Sequence, residues 1–338
     1  MRYPNRLNYG GKIGVVAPSA GFVEEKFILM CNSSKSKLEK LGYNVIYSDS
    51  CFNDLNGRSN TSQVRAEEFK KMYLDEDIDI LISLSGGEYE MEILDNLDLD
   101  FIKKSSIKLF CGCSDNTMLT FLLTTYCDIA CVYGHNFYEI GIHHKVMDDY
   151  VEFLKGNNLE LIEIKDVEEK DESWKSSCPQ ISYNCNYKNN WKLYYDKKQL
   201  DITGMLIGGL LDNLICICGT KYDNMKKFVE KYKENGFIWY IDICTLNPEE
   251  VKRGLWQLKN AGWFKYIKLL MIGRPINQSD SYDINYRDNM YNELKTLNVP
   301  VIFDANIGHI APCYHMYNGA ITRVIYKNNV GKIKYISD

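Results

Sequence analysis

Several absences bound what this 338-residue chain can be. No apolar run reaches the roughly 18–20 residues that a helix needs to cross a bilayer. The opening stretch, MRYPNRLNYGGKIGVVAPSAGF, has a short apolar strand where a signal peptide would carry a longer one and a cleavage site. A cytoplasmic protein is therefore expected. An excess of positive charge is also missing. The net charge of −5 argues against nucleic acid or an anionic membrane surface as the main partner. There is no internal repeat, which excludes a solenoid, and no low-complexity tract beyond an Asn/Lys/Tyr bias.

Cysteine is plentiful, at 12 residues, but the knuckle spacing of a zinc site is not. The C-x-C pairs Cys111/Cys113 and Cys216/Cys218 have strand periodicity and lie in apolar runs, so reduced, buried thiols are expected. What remains is the composition of an ordinary globular protein, 45% apolar and 25% charged, with length enough for two domains.

The first half alternates between strands and helices. KIGVVAPS, YNVIYSD, IDILISLSGG and IKLFCGC read as strands, separated by helical stretches such as TSQVRAEEFKKMYLD and NTMLTFLLTTY. That order predicts a parallel sheet covered on both faces, with polar chemistry at the carboxyl ends of its strands. Ser19, Gly86, Gly87 and Ser114 fall at such ends. Residues 156–200 are charged and irregular and read as an inter-domain crossing. A second α/β domain follows over 201–338, so the nucleophile domain covers about 1–155.

CGCSDNT, residues 111–117, joins a buried strand to a helix. A serine at such a turn has the geometry of a nucleophile elbow. The helix N-terminus offers unpaired N–H groups to a developing oxyanion, with Asp115 N–H as the first donor. SGGE at 85–88 supplies backbone without side chains, so Gly86 or Gly87 can approach as the second. Ser, Asp and Asn are also good helix caps, so the motif alone does not decide. A nucleophilic serine needs a base and an orienting acid. Of five histidines, His309 stands out because it follows the strand VPVIFDAN; His135, His143, His144 and His315 lack that placement. Asp242 interrupts the apolar FIWYIDICTL, where a carboxylate is costly unless paired. Glu249 and Glu250 follow Asn247-Pro248 and are explained as first-turn acids of a helix.

Taken together, KIGVVAPSAGF, the SGGE and GCSDNT turns, GMLIGGLLDNLICICGT, IWYIDICTLNPEEVKRGLWQL and PVIFDANIGH resemble the LD-carboxypeptidase family of serine peptidases. The likeness runs in order from about Lys12 to Gly319. That family includes murein LD-carboxypeptidases and microcin C self-immunity peptidases. The resemblance implies a flavodoxin-like N-terminal domain, a C-terminal α/β domain with a barrel-like sheet, and a homodimer. It implies Ser–acid–His chemistry without metal or cofactor, with Ser114, Asp242 and His309 converging across the domain interface. The oxyanion hole would be Asp115 with Gly87 or Gly86.

Where the family has glutamate as the acid, this chain has Asp242. Ser85 replaces the arginine of the murein branch, Leu210 replaces a polar pocket residue, and Cys244 and Thr245 replace acidic residues. These changes place substrate recognition at Ser85 and Leu210, with Trp191 as a candidate aromatic contact beside Trp174, Tyr89 and Tyr138. The missing arginine at Ser85, with the LDLDF and NPEEVKRGLWQL stretches, favours the microcin-immunity-like branch. The expected substrates are a small peptide, a muropeptide or a peptidyl-nucleotide. A weak or inactive homologue that binds such a ligand is the alternative. An α/β-hydrolase esterase shares the residue order but requires G-x-S-x-G, which GCSDN does not match.

Overall fold

The apolar runs of the first half become short, fully buried strands, and each delivers its chain end to the same edge of a parallel sheet. The structure is a computed structural model and describes residues 1–170 and 182–336. The described chain divides into two compact units, one formed chiefly by Met1–Asn158 and one by residues 159–170 and 184–336.

In the first unit the elements run β1 (Lys12–Val16), α1 (Glu25–Lys40), β2 (Asn44–Tyr47), α2 (Ser62–Leu74) and β3 (Ile80–Ser83). A 3₁₀ helix (Glu90–Asn96), α3 (Leu99–Lys104), β4 (Leu109–Gly112), α4 (Thr117–Thr125), β5 (Cys131–Tyr133) and α5 (Lys145–Leu154) follow. The parallel pairings β2-β1-β3-β4-β5 give the flavodoxin-like order. β3 and β4 are buried at every position. Such strands read as continuous apolar runs because helices cover both faces of the sheet.

The second unit contains β6 (Glu160–Ile162), β7 (Asp166–Val167), β8 (Tyr187–Lys188), β9 (Lys192–Tyr194), β10 (Leu200–Leu210), α6 (Leu211–Ile217) and α7 (Met225–Lys231). It continues with β11 (Phe237–Asp242), α8 (Pro248–Asn260), β12 (Ile267–Gly273), α9 (Tyr286–Leu294), β13 (Val301–Ala305), β14 (Met316–Asn318), β15 (Ile321–Lys327) and β16 (Val330–Tyr335). Its eight-stranded sheet runs β6-β16-β15-β10-β11-β12-β13-β9. β10 to β13 are parallel, and the flanking strands antiparallel.

The two ends of this sheet meet. β6 leads into β7, β7 pairs with β8, and β8 leads into β9, so the sheet is barrel-like. Glu163 bridges the seam. Its carboxylate accepts the Trp191 and Gly331 backbone N–H groups, each at 2.8 Å. The irregular segment before Leu200 therefore supplies four strands to the second unit.

α8 begins as its sequence dictates: Pro248 occupies the first turn, and Asn247 and Glu250 cap each other reciprocally at 2.9 Å. One sequence expectation fails. Cys216 and Cys218 do not share a strand face, because LDNLICI forms α6, with Cys216 exposed on it and Cys218 at its C-cap. An i, i+2 pair in a short apolar run fits either element until length decides. Among the described cysteines, Cys31, Cys51, Cys111, Cys127, Cys131 and Cys313 are buried. Among the described residues no helix is long and apolar enough to cross a membrane.

Candidate active site

In the first unit, β4 ends at Gly112, Cys113 is extended, and Ser114 turns into left-handed backbone with φ 63° before α4. A residue with a side chain pays of order 1–3 kcal/mol there and stays only where its surroundings over-determine it. They do so here. Ser114 N–H donates to the Tyr133 hydroxyl at 3.1 Å and Cys113 N–H to Asn136 Oδ1 at 3.0 Å. The Asn116 amide donates to the Ser85 and Cys113 carbonyls, both at 2.9 Å.

Gly86 faces this turn so closely that a Cβ there would lie 2.8 Å from Ser114 Cβ and 3.1 Å from its Oγ. The same position is 3.7 Å from the Asp115 nitrogen. Leaving it empty keeps space open beside both the hydroxyl and a backbone donor. Gly87 is required for a different reason: its φ is 153°, and a Cβ would fall 2.3 Å from Ser19 Oγ. The Ser85 hydroxyl donates to Ala20 O at 2.9 Å, and Ser85 is 4% exposed. It fastens the glycine turn to the turn after β1.

In the second unit, Asp242 is the last residue of β11, paired in register with Leu210 of β10, and is fully buried. β13 delivers the other partner through Asn306, Ile307 and Gly308. His309 Nδ1 stands 2.8 Å from Asp242 Oδ2. Gly308 has φ 105°, and a Cβ on it would lie 2.0 Å from Asp242 Oδ1, so the glycine makes the contact possible. Burial alone would push the imidazole down. The Asp242 carboxylate outweighs it and holds His309 well above its ordinary value of 6.5. Cys244 also touches this imidazole; burial pushes its thiol up while the histidine opposes that shift.

The histidine loop is clamped on both sides. The Asn306 side chain bonds both backbone groups of Ile164, at 2.9 and 3.0 Å. Buried Arg274 donates to Ile310 O at 3.2 Å and to Glu168 O at 2.8 Å. Asp212 of α6 accepts Thr245 N–H at 2.8 Å, fixing the turn that carries Cys244.

Trp191 belongs to the barrel seam. It is 2% exposed, its indole N–H donates to Asn306 Oδ1 at 2.9 Å, and it packs against Gly331. That is a packing position rather than the ligand-facing one expected from the sequence. Leu210 is 5% exposed and caps α6. Tyr89 lies under the Arg58 guanidinium, and Tyr138 packs edge-on against Phe22 and Phe27. Trp174 lies outside the described residues. His144 caps α5, and His315 is fully buried. Sequence reasoning missed the Asn116–Asn136 network, Tyr133, Gly308 and Glu90, a buried acid behind the glycine turn.

The first unit thus carries a serine at a left-handed strand-to-helix turn, and the second a histidine beside a buried carboxylate. Residues 13–134 match the LD-carboxypeptidase N-terminal domain and residues 203–324 the LD-carboxypeptidase C-terminal domain. The chain belongs to this family, a family of peptidases. It is 25% identical over 332 residues to a candidate carboxypeptidase of Bacillus subtilis (strain 168), YocD, covering 95% of each chain. It is 27% identical over 227 residues to the microcin C7 self-immunity protein MccF of Escherichia coli, covering 64% of this chain and 62% of that one. The structure of MccF in complex with glutamyl sulfamoyl guanosine has the same fold, with a TM-score of 0.79, 21% identity, and coverage of 99% of this chain and 98% of that one.

Proposed function

We propose that this chain is a serine carboxypeptidase that hydrolyses an amide bond next to a free carboxylate. Ser114 Oγ attacks the amide carbonyl. His309 takes the hydroxyl proton at Nε2 and passes it to the leaving nitrogen, and water then releases the acyl group by the same route in reverse. Asp242 orients the imidazole and stabilises its charged form. The N–H groups of Asp115 and of Gly87 or Gly86 receive the oxyanion.

The observation that carries this reading is the left-handed Ser114 with the side-chain-free Gly86 directly against it. The 2.8 Å approach of Asp242 to His309 supports an active enzyme over a binding-only homologue, since the shorter acid still reaches its partner. Ser85, in place of the murein branch's arginine, favours the microcin-immunity-like branch. The substrate class is then a small acidic aminoacyl or peptidyl amide of a nucleotide, in keeping with the glutamyl sulfamoyl ligand of MccF. By the same resemblance the enzyme works in the cytoplasm as a homodimer.

Mass-spectrometric detection of the freed amino acid tests the reading. The substrates are a glutamyl sulfamoyl nucleoside, an L,D-linked muropeptide and simple dipeptides. Release from the first, abolished by Ser114→Ala, is expected. Release that survives Ser114→Ala, or no release from any of them, overturns it.

A further inference from the structure

The Asp115 side chain has a task separate from its backbone N–H. Its carboxylate accepts the Ser19 hydroxyl, from the turn after β1, and the Glu90 backbone N–H at 2.8 Å, from the turn after β3. One carboxylate thereby ties three neighbouring strand ends together. Glu90 opens the 3₁₀ helix three residues after Gly87 and is fully buried. Neither of its carboxyl oxygens makes an aligned hydrogen bond among the described residues.

The groups around Glu90 decide its charge. Burial disfavours the anion most, and the neighbouring Asp115 carboxylate disfavours it further. The Leu119 N–H in the first turn of α4, and the Arg65 guanidinium from α2, act the other way. Arg65 is largely engaged elsewhere: it donates to Pro18 O at 2.8 Å and Tyr89 O at 3.0 Å, and pairs with Glu92 at 2.6 Å. Glu92 is in turn shared with Arg58. The carboxyl of Glu90 therefore sits well above the usual carboxylate range.

We propose that Glu90 is a positioning residue of the Ser114 site: with the Asp115 carboxylate it fixes the Gly86–Gly87 turn against the serine, and its ionisation releases that turn. Two carboxylates in one dry space repel. The yielding contact is the Glu90 N–H to Asp115 bond, which lies a few residues from Gly86. Because Gly86 is packed against Ser114, movement of that turn displaces the backbone facing the nucleophile. The proposal rests on the reading of Ser114 as nucleophile, and it predicts a loss of Ser114 reactivity with rising pH that originates in Glu90.

The test measures the rate of fluorophosphonate adduct formation at Ser114 against pH, with thermal midpoints over the same range, for wild type, Glu90→Gln and Glu90→Ala. Wild type should lose rate as pH rises through the folded value of Glu90. Glu90→Ala should be slower by about tenfold or more throughout, as expected for a site misplaced by a fraction of an ångström. Glu90→Gln, neutral at every pH, should recover most of that rate and lack the fall with rising pH. The stability arm has a definite sign. The folded value lies above 4.5, so Glu90's contribution is complete below about pH 4.5 and is lost as pH rises through the folded value. The midpoint of Glu90→Gln should therefore gain on wild type as pH rises. The same fall with rising pH in Glu90→Gln, or a midpoint difference flat in pH, overturns this proposal alone. Absence of any Ser114 adduct in wild type overturns the nucleophile reading and this proposal with it.

Discussion

Replacing Asp242 by glutamate restores the acid expected in this family, yet the geometry predicts a loss. Asp242 Oδ2 already stands 2.8 Å from His309 Nδ1, near the floor for a charge-assisted hydrogen bond. One more methylene moves the carboxylate by about 1.5 Å, the length of a carbon–carbon bond. The site has no slack to take it up. Asp242 is fully buried, and a Cβ on Gly308 would come within 2.0 Å of its other oxygen. Forcing a methylene into a packed site costs about 1–3 kcal/mol, and a misplacement of about 1 Å in catalytic geometry costs about 10²-fold in rate. Asp242→Glu should therefore label Ser114 with fluorophosphonate about 10²-fold more slowly than wild type, and melt several degrees lower. Equal or faster labelling would refute the packing argument, and would mean that the aspartate is a decayed acid.

Asp242→Asn removes the charge that stabilises the imidazolium and should lower kcat by about 10⁴-fold, the effect of this change in other triads. Gly86→Val should abolish turnover without unfolding, because its side chain would occupy the space beside Ser114 Oγ; unchanged kcat would put the oxyanion donors elsewhere. The base must be neutral to accept a proton, and Asp242 holds His309 above 6.5, so the acid limb of kcat/KM should lie above pH 6.5 and move down in Asp242→Asn. The same shift implies stability fully present below about pH 6.5 and lost as pH rises through the folded value, readable as the midpoint difference from Asp242→Asn. Arg274→Ala frees the Ile310 carbonyl beside His309 and should lower kcat more than it raises KM.

The strand ends were legible because buried parallel strands read as apolar runs, so a polar residue closing one is conspicuous. Ser114 after LFCG and Asp242 closing FIWYID stand out in that way. Glu90 was not. In EYEMEILDN, acids alternating with apolar residues read as the solvated face of a helix, and only the close approach of β1, β3 and β4 buries Glu90 among them. Trp191 misled for a related reason. Its polar, irregular segment carries no period, and its burial comes from closure of the barrel seam by Glu163 and Gly331, more than a hundred residues apart in sequence. Gly308 looked like an ordinary turn glycine. Its necessity appears only once the Asp242 carboxylate is seen where a Cβ would be.

The most direct test of the account is to map the fluorophosphonate adduct by peptide mass spectrometry in wild type and in His309→Gln. The account predicts a single adduct on Ser114 in wild type and a rate reduced by orders of magnitude in His309→Gln, because the serine has lost its base. Labelling at another residue, or at Ser114 with an undiminished rate in His309→Gln, would contradict it.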